Sequence, residues 1–595
     1  MSRRVPRSRA ALSLALGAAL ATPLTLTAPA AATGPYTVTP LKFTVRAGER
    51  TCTIDADLYR PADVNHAHPA PAVIATNGFG GSKNEGATDA VGRAFARRGY
   101  VSLVYSGLGF GKSGCLISLD APEIDGRAAS QLVDFLAGKR AADDGTRADF
   151  VTRDGPGDPR LGMIGGSYGG AVQLATAAVD HRVDALVPMI TWNDLAYSLA
   201  PGAVGRGDVP GVFKWQWTNG FYLVGEGRPP VASNLDPARI NSLTCLHFVT
   251  GACDMVRTLN SGSYPADRTA RLLAYEHSVS PMSYLDRVQA PTLLVQGQAD
   301  SLFNLNEATA TYRTLKARRT PVKLIWQAGG HSSGLTAPAP GELDLSRDNL
   351  ETSYVGRRVL AWFDRYLRGQ SVGTGPEFAY YRDWVTDPNS TYATADRLPA
   401  LTRTLYLSGD GRLVGHPGDV VRGSRTYTNG PNPTSHSENA AATGAGLPAP
   451  APYDTRGTYL AWTGAPFGAA VDVAGAPRAT LRVVSPEAER TQGSGNAADR
   501  LVLFAKLYDV APDGTQTLVH GLVAPVRVPD ATRTFTVTLP GIVHRYPQGH
   551  RLRFVIAASD DAYFGNRGVK PVTVISAPGD TGVLQLPVVD GRARR

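Results

Sequence analysis

The sequence predicts an α/β domain followed by an all-β domain, and three observations support this prediction. Short apolar runs such as 72–76 and 101–105 alternate with helical patterns, as in parallel sheets that are buried on both faces. A glycine-rich turn with a central serine, 165–170, joins an apolar run to an alanine-rich helical run. After about residue 376, helical periodicity nearly disappears and short strand patterns follow one another.

Length and composition indicate a large globular protein. The 595 residues exceed what one hydrophobic core usually supports, so two or three domains are expected. Hydrophobic residues make up 43% of the chain and charged residues 19%, which is typical of globular proteins. The formal net charge is +9, but the lysines and arginines are scattered and form no basic block with interleaved aromatic residues. We therefore predict no nucleic-acid partner.

Residues 1–32 have the pattern of a secretory signal peptide. Four arginines lie among the first nine residues, the run 10–26 is apolar, and the three alanines at 30–32 form a small-residue cleavage site. The apolar run is short and interrupted by glycine and proline, and no later run approaches the length of a membrane span. We therefore predict a secreted protein without a membrane anchor, whose mature chain begins near Thr33. A pair of adjacent arginines leaves the twin-arginine export route as an alternative to the general one.

The four cysteines are expected to form disulfides in an exported chain. Three full pairings are possible, and the sequence alone does not choose among them. Cys245 and Cys253 are the predicted pair because they lie in one short segment, whereas Cys52 and Cys115 can pair only if the fold brings them together. No Cys-x-x-Cys motif or matching histidine spacing is present, so no metal site is predicted.

The predicted catalytic domain begins with residues 33–193. Its first part contains, in order, antiparallel edge strands (37–59), two buried strands (72–76 and 101–105) separated by a helix (90–98), and a second helix (125–136). The motif 165–170, Gly-Gly-Ser-Tyr-Gly-Gly, follows the next apolar run. We interpret it as a nucleophile elbow, in which the glycines remove side chains that would clash in a tight turn and Ser167 projects from the sheet edge.

The context of this motif favours a nucleophile over an ordinary small-residue turn. Gly-x-Ser-x-Gly alone occurs often by chance, but here a strand precedes it and an alanine-rich helix follows. An acid and a histidine come later in the order Ser, Asp, His, so the sequence predicts an α/β-hydrolase.

A glycine-rich loop, 77–82, follows the first buried strand and is expected at the same sheet edge as the elbow. We predict an oxyanion hole formed by two backbone N–H groups, that of Tyr168 after the nucleophile and that of Phe79 in this loop. Without Ser167, an ordinary glycine-rich turn would be the preferred interpretation. Neither this loop nor 106–114 has the spacing of a phosphate-binding motif, and no cofactor is predicted.

Residues 194–287 are predicted to form an inserted, mainly helical cap over the active site, because regular strand and helix alternation stops there. This segment is rich in aromatic residues. Most of them are expected to form the core of the cap, with one or two lining an acyl pocket.

The catalytic domain resumes over 288–370 and supplies the other two candidate catalytic residues. Asp300 directly follows a buried strand, where the acid of a triad belongs, and His331 lies on a glycine loop after the next strand. We predict that His331 is the base for Ser167 and that Asp300 orients it. Asp254 is the rival acid, but it falls in the predicted cap.

Three motifs resemble the secreted bacterial X-prolyl dipeptidyl-peptidase and cocaine-esterase-like hydrolases. They are the elbow 165–170, the run 296–300 (Gln-Gly-Gln-Ala-Asp) and the run 329–331 (Gly-Gly-His), and the resemblance covers almost the whole mature chain. It implies Ser167 as nucleophile, Asp300 as acid, His331 as base and the Tyr168 N–H as an oxyanion donor. Esterases of this family also use a tyrosine hydroxyl on the first loop, where this sequence has Phe79, so that only a backbone donor is expected from that loop.

Residues 377–595 are predicted to form a C-terminal β-sandwich, after a short linker at 369–376. Its strand candidates are 404–408, 479–484, 501–508, 534–539 and 551–556. The segment 507–514 resembles a turn of the jelly-roll domain that ends this family, which implies a jelly roll. Residues 429–452 are rich in Pro, Ala, Gly and Ser and are predicted to be a long surface loop.

These predictions describe a secreted serine hydrolase that works through an acyl-enzyme. Cleavage of peptides as an Xaa-Pro dipeptidyl-peptidase is the leading hypothesis, and an acyl esterase or amidase of the cocaine-esterase type is the alternative. The peptidase must bind a free α-amino group, and the sequence does not single out its carboxylate among Asp194, Asp208, Glu226 and Asp254. A non-catalytic carbohydrate-binding or adhesion protein is a third hypothesis, which the presence of all three triad candidates disfavours.

Overall fold

The computed structural model describes residues 34–203, 209–227, 237–333, 338–430, 432–440 and 450–589. The chain divides into two units, Met1–Gly34 and Pro35–Arg595, and the fold is that of the second. The predicted signal peptide and the cleavage site before Thr33 lie outside the described residues. Within the described ranges, no helix has both the length and the apolar character needed to cross a membrane.

A ten-stranded sheet forms the centre of the first part of this unit. The strands up to residue 395 are β1 (Tyr36–Ala47), β2 (Arg50–Pro61), β3 (Ala72–Thr76), β4 (Val101–Tyr105), β5 (Arg153–Gly155), β6 (Asp158–Pro159), β7 (Leu161–Gly166), β8 (Ala185–Met189), β9 (Thr292–Gly297), β10 (Val322–Gln327), β11 (Phe378–Tyr381) and β12 (Tyr392–Ala395). The sheet order is β1-β2-β4-β3-β7-β8-β9-β10-β11-β12, and β5 pairs with β6 as a separate hairpin. The strands from β4 to β11 in this order are parallel, and the outer strands β1, β2 and β12 pair antiparallel.

Helices cover both faces of this sheet. The helices up to residue 366 are α1 (Gly86–Ala96), α2 (Arg127–Leu136), α3 (Tyr168–Val179), α4 (Leu195–Leu199), α5 (Trp215–Gly227), α6 (Thr250–Asn260), α7 (Ala266–Ser278), α8 (Leu305–Ala317) and α9 (Tyr354–Tyr366). Successive strand residues point to opposite faces, so Ile74 packs with Leu132 and Leu174 on one side while Val73 packs with Phe95 on the other. This double burial explains why β3 and β4 are continuous apolar runs.

The predicted cap is helical over its described part and contains α4 to α7. A disulfide joins Cys245, before α6, to Cys253 within that helix. A second disulfide joins Cys52 in β2 to Cys115, so the fold brings together the pair that the sequence left undecided.

The C-terminal part is β-rich, as predicted. Its strands are β13 (Leu401–Leu407), β14 (Arg412–Val414), β15 (Gly423–Tyr427), β16 (Ser435–His436), β17 (Tyr453–Asp454), β18 (Tyr459–Gly464), β19 (Val471–Gly475), β20 (Arg478–Leu481), β21 (Val502–Val510), β22 (Gln516–Arg527), β23 (Phe535–Thr538), β24 (Ile542–Tyr546), β25 (Arg551–Ala557), β26 (Val572–Ser576) and β27 (Val583–Val588). Eleven of them form one sheet that follows the path β22-β21-β25-β18-β14-β13-β27-β19-β24, with β20 paired to β27 and β23 paired to β20. The two faces of this curved sheet enclose one hydrophobic core, consistent with a sandwich.

The structure differs from the predicted boundary of the sandwich at residue 377. Strands β11 and β12 lie beyond that boundary, but β11 pairs in parallel with β10 and β12 completes the edge of the first sheet. The apolar segment Phe378–Tyr381 reads as a strand of either domain, and only its pairing partner assigns it. The β-sandwich therefore begins near residue 401, with β13.

The predicted surface loop 429–452 also differs in its described part. Ser435, His436 and Ser437 are buried, and β16 pairs with β17. Small and polar residues suggested an exposed loop, but here the Ser437 hydroxyl donates to the buried Asp560, and His436 Nδ1 lies 2.7 Å from Asp561 Oδ2. Residues 441–449 lie outside the described ranges.

Candidate active site

Ser167 lies at the sharp turn between β7 and α3. Its backbone has φ 56° and ψ −122°, a left-handed conformation that is unusual for a residue with a side chain. A Cβ on Gly165 would lie 2.6 Å from the Gly169 carbonyl oxygen, and a Cβ on Gly169 would lie 2.5 Å from the Thr76 carbonyl oxygen. These flanking positions therefore require glycine, as expected of a nucleophile elbow.

His331 and Asp300 form a hydrogen-bonded chain with Ser167. The Nε2 atom of His331 is 2.8 Å from Ser167 Oγ, and its Nδ1 atom is 2.7 Å from Asp300 Oδ2. With Nδ1 protonated, His331 donates to Asp300 and its Nε2 accepts the Ser167 hydroxyl proton. The structure thus brings together the three residues that the sequence singled out, from the ends of three different strands.

The Asp300 carboxylate is held by backbone donors on both of its oxygens. The N–H groups of Leu302 and Phe303 donate to Oδ1 at 3.0 and 2.9 Å, and the N–H of His331 donates to Oδ2 at 3.1 Å. The side chain has no exposed surface. This environment fixes the orientation of the carboxylate toward the imidazole and stabilises its negative charge without water.

Glu342 supports the glycine loop that precedes His331, a contact the sequence did not indicate. Its two carboxylate oxygens accept the N–H groups of Gly329 at 2.6 Å and Ala339 at 2.7 Å. Burial raises the pKa of Glu342 above its ordinary value, although these backbone donors oppose the shift. Glu342 lies beyond His331 in the sequence with no local motif, so only the folded loop identifies it.

The loop that contains Phe79 packs against the elbow. A Cβ on Gly78 would lie 4.0 Å from the Ser167 Cβ, and the Phe79 ring meets the Tyr168 ring edge-on, with centroids 5.7 Å apart. Tyr168 is the first residue of α3, so its N–H belongs to the positive end of that helix. The two candidate oxyanion residues thus lie next to Ser167, as an oxyanion hole formed by their N–H groups requires.

Asn77 braces this loop through a contact that the sequence also missed. Its side-chain oxygen accepts the N–H of Gly107 at 2.9 Å, and its amide donates to the Gly78 carbonyl at 2.8 Å. The loop 106–114, which matched no phosphate-binding motif, therefore helps to hold the neighbouring candidate oxyanion loop in place.

A narrow apolar cavity of about 70 Å³ opens beside Ser167. Cap residues such as Phe221, Phe248 and Met255 line it together with Leu302 and the ring of Phe79. Within the described ranges, Ser167 and Tyr168 are joined in its lining by aliphatic and aromatic side chains, including Tyr222, and by one threonine, and no carboxylate contributes. Two aromatic residues of the predicted cap, Phe221 and Tyr222, thus lie at the candidate substrate site.

The carboxylates considered for binding an amino group have other contacts. Asp194 caps helix α4 by accepting the Ala196 N–H at 3.0 Å, and Glu226 accepts the N–H groups of residues 246 and 247 at 2.7 and 3.0 Å. Asp254 is exposed and pairs with Arg257 at 2.5 Å. None of these three lines the cavity, and Asp208 lies outside the described residues.

A pair of buried acids lies behind the cavity wall. The Tyr168 hydroxyl accepts the N–H of Asp120 at 3.2 Å, and the preceding residue, Leu119, lines the cavity. Burial raises the pKa of Asp120 well above its ordinary range and that of Asp125 to about 7.

Among the described residues, a single group has the spacing of a metal site, formed by Glu226, Cys245 and Cys253. The two cysteines are joined in a disulfide, so their sulfurs are not available as thiolate ligands. This group therefore does not fit a metal ion.

The sequence profile of the X-Pro dipeptidyl-peptidase family S15 matches residues 50–333, and that of the X-Pro dipeptidyl-peptidase C-terminal non-catalytic domain matches residues 363–570. No curated protein sequence matches the chain.

Solved structures with the same fold extend over nearly the whole chain. An aminopeptidase from a marine sediment archaeon, Thaumarchaeota archaeon, is 15% identical, with 96% of this chain and 98% of that one covered and a TM-score of 0.65. An α-amino acid ester hydrolase is 17% identical, with 96% and 99% covered and a TM-score of 0.64. A CocE/NonD family hydrolase from Staphylococcus aureus is 12% identical, with 93% and 97% covered and a TM-score of 0.56. At these identities, the similarity concerns the fold.

Proposed function

Because this chain belongs to the X-Pro dipeptidyl-peptidase and CocE-like family of serine hydrolases, we propose that it cleaves esters or amides with a small apolar acyl group. The observation that carries this proposal is the apolar cavity beside Ser167, to which no described carboxylate contributes. An apolar acyl group gains free energy by leaving water for such a cavity, whereas an α-ammonium group would lose its hydration without a counter-charge.

The reaction proceeds through an acyl-enzyme on Ser167. His331 Nε2 takes the hydroxyl proton as Ser167 Oγ attacks the substrate carbonyl carbon, and Asp300 stabilises the resulting imidazolium. The N–H groups of Phe79 and Tyr168 donate to the oxyanion of the tetrahedral intermediate. His331 then protonates the leaving alcohol or amine, and the same residue activates the water that releases the acid. The distances between His331 and its two partners, 2.8 and 2.7 Å, support this assignment.

Xaa-Pro dipeptidyl-peptidase activity is the second candidate, which the match to family S15 favours. The ring of a prolyl residue is apolar and could occupy the same cavity. This activity also requires a counter-charge for the free amino terminus of the substrate. Because the described cavity lining provides none, we rank the peptidase below the acyl hydrolase.

Substrates with one common leaving group test the proposal. We expect butyryl p-nitroanilide to be cleaved with a higher kcat/KM than Gly-Pro p-nitroanilide. The corresponding ester, p-nitrophenyl butyrate, is the substrate for the variant assays described below. Acetylation of the amino group of Gly-Pro p-nitroanilide should change kcat/KM by less than about tenfold. A site that binds the free amine would discriminate by about 10⁴-fold or more, and that result would replace the acyl hydrolase with the peptidase.

Replacement of Gly330 by alanine tests the geometry of the loop that carries His331. The new Cβ would lie 2.5 Å from Asp300 Cβ and 2.6 Å from its Oδ2 atom, so the carboxylate or the loop must move. We expect kcat for p-nitrophenyl butyrate to fall by about 100-fold, the cost of a displacement of about 1 Å in a catalytic group. Gly373→Ala is the matched control, because no heavy atom lies within 4 Å of its new Cβ. A Gly330→Ala enzyme with wild-type kcat would contradict this account of the loop.

We also propose that the hydrolase is exported after removal of residues 1–32. The signal pattern in the sequence supports this, and so do the disulfides Cys52–Cys115 and Cys245–Cys253, since disulfides persist in oxidising compartments. N-terminal sequencing of the protein from the culture medium of an exporting host should find a mature chain that begins near Thr33. An uncleaved protein retained inside the cell would contradict the proposal.

A further inference from the structure

Two serines connect the loops that carry Asp300 and His331. Ser301 follows the acid and Ser332 follows the histidine, and their Oγ atoms are 2.5 Å apart. The N–H of Ser301 also donates to Ser332 Oγ at 2.8 Å. The Ser301 hydroxyl donates to the carboxylate of Glu438. The hydrogen bonds that connect the two loops are thus linked to Glu438, which lies more than a hundred residues away in the sequence.

Glu438 reaches these hydrogen bonds from the C-terminal part of the chain, and its own segment is anchored on both sides. Ser437 Oγ donates to Asp560 Oδ1 at 2.8 Å within the β-rich domain. The N–H of Ala440 donates to Gln216 Oε1 at 3.0 Å on helix α5 of the cap. The C-terminal domain and the cap therefore determine together where the Glu438 carboxylate lies.

Helix α5 and the residue before it supply two further contacts to Ser301. Trp217 Nε1 donates to Ser301 Oγ at 3.1 Å, and the Trp217 ring lies edge-on to the His331 ring, with centroids 6.2 Å apart. Lys214 Nζ donates to the carbonyl oxygens of Ser301 and Leu302 at 2.6 and 3.0 Å. Lys214 is itself only 2% exposed, so its ammonium depends on these acceptors.

While Glu438 is ionised, the hydrogen bonds that involve its carboxylate, Trp217 and the two serines can have only one set of directions. The indole N–H of Trp217 can only donate, and an ionised carboxylate can only accept. The Ser301 hydroxyl must therefore donate to Glu438 and accept from Trp217, and the Ser332 hydroxyl donates to Ser301. Loss of the carboxylate would leave the Ser301 hydroxyl without its acceptor and free both serines to change rotamer.

We propose that Glu438 is a positioning residue of this hydrolase, which holds the loops of Asp300 and His331 in register with Ser167 through Ser301 and Ser332. The inference rests on the proposed triad, and it assigns the C-terminal domain a part in catalysis. Glu438 does not line the apolar cavity beside Ser167, so it acts on the geometry of the triad and not on acyl binding.

Protonation of Glu438 is expected to change this hydrogen-bond order. The charged and titratable groups facing it are Lys214 from the cap and Asp560 and Tyr563 from the C-terminal domain. Burial raises the pKa of Glu438 to about 7, a shift that Ser301 and Lys214 oppose, and burial lowers that of Lys214 to about 8. Burial raises the pKa of Glu438 in the folded protein. The contribution of Glu438 to the free energy of unfolding is therefore largest below its unfolded pKa, and it is lost as the pH rises through about 7. Removal of the ionisable group should therefore not lower stability at pH 8.

Glu438 lines a separate cavity of about 310 Å³, so a shorter side chain would add to an existing space and should be tolerated. We expect Glu438→Ala and Ser301→Ala each to lower kcat for p-nitrophenyl butyrate by about 10-fold to 100-fold, with KM within about twofold. The double variant should be no slower than Ser301→Ala, because both changes break the same connection. Thr538→Ala, which lies in the lining of the same cavity but outside the connection between Glu438 and the two loops, is the control and should stay within about twofold of wild type.

Glu438→Gln separates the charge from the hydrogen bond. Its amide oxygen can still accept the Ser301 hydroxyl, so we expect a smaller loss of kcat than in Glu438→Ala. We also expect the titration of Glu438 near pH 7 to disappear from the pH dependence of kcat. Its Tm at pH 8 should equal or exceed that of wild type, whereas a merely structural acid would lower Tm and leave the profile unchanged.

Wild-type kcat in folded Glu438→Ala, or additive effects in the double variant, would overturn the proposal. If Glu438→Ala fails to fold, the other two variants test the proposal. An unchanged pH profile in Glu438→Gln, or a wild-type kcat in Ser301→Ala, would overturn the proposal. Failure of the proposed function has a different signature, because wild-type enzyme would then turn over no more ester than Ser167→Ala.

Discussion

Ser167→Ala is expected to abolish turnover, with kcat for p-nitrophenyl butyrate reduced by about a million-fold, as for loss of the nucleophile in a well-studied serine protease. The reason is that no acyl-enzyme can form without Oγ, while the cavity and the candidate oxyanion donors stay in place. The rate that persists should come from binding and oxyanion stabilisation alone. Stopped assays at high enzyme concentration measure the loss of turnover, and the Tm of the variant shows whether its fold is unchanged.

Covalent labelling gives an independent measurement of the same prediction. A fluorophosphonate probe should label the wild-type protein at Ser167 and leave Ser167→Ala unlabelled. Ser346→Ala, at an exposed serine, is the control and should label at the wild-type rate. Near-wild-type turnover or labelling in Ser167→Ala would show that another residue is the nucleophile.

Asp300→Asn is expected to reduce kcat by roughly 10⁴-fold, by analogy with the same change in a serine protease. Both carboxylate oxygens of Asp300 accept N–H groups, Oδ1 from Leu302 and Phe303 and Oδ2 from His331. The amide group of asparagine must replace one of these acceptors by a donor. If it faces His331, Nδ1 must accept, the proton moves to Nε2, and the histidine can no longer take the proton of Ser167.

The alternative orientation of this asparagine is also unfavourable, because its amide would face two backbone N–H donors and leave buried groups unpaired. Asp254→Asn is the matched control. Asp254 is exposed and bound to Arg257, so we expect its loss to change kcat by no more than about twofold. A collapse of activity in Asp254→Asn with Asp300→Asn unaffected would reverse the assignment of the triad acid.

The local part of this site was predictable because neighbouring residues impose it. The left-handed backbone at Ser167 needs glycines within two residues on either side, and the sequence 165–170 has glycine at these positions. Asp300 and His331 each follow a short apolar run, and the carboxyl ends of parallel strands meet at one sheet edge. These signals depend on a few adjacent residues and on the order of the strands, so no long-range contact had to be known.

The pairing of distant segments was decided only by the tertiary structure. Cys52 and Cys115 are 63 residues apart, and nothing local to either cysteine indicates that β2 runs beside the loop that holds the other. Phe378–Tyr381 could have joined either sheet, and its hydrogen bonds to β10 assign it to the first. Strand pairing depends on which edge is free when the chain closes, and that edge is not a property of the strand itself.

The same reason separates the catalytic residues from those that surround them. The triad follows from motifs, but the apolar cavity is assembled from the loop at 77–82, the cap and the turn after Asp300. Glu342 and Glu438 have no motif around them, and each acts through backbone or hydroxyl groups that only the folded chain brings within hydrogen-bond distance. The sequence by itself therefore determined the candidate triad, whereas the apolar cavity beside Ser167 and the contacts that support the candidate triad were decided by packing between segments that are far apart in the chain.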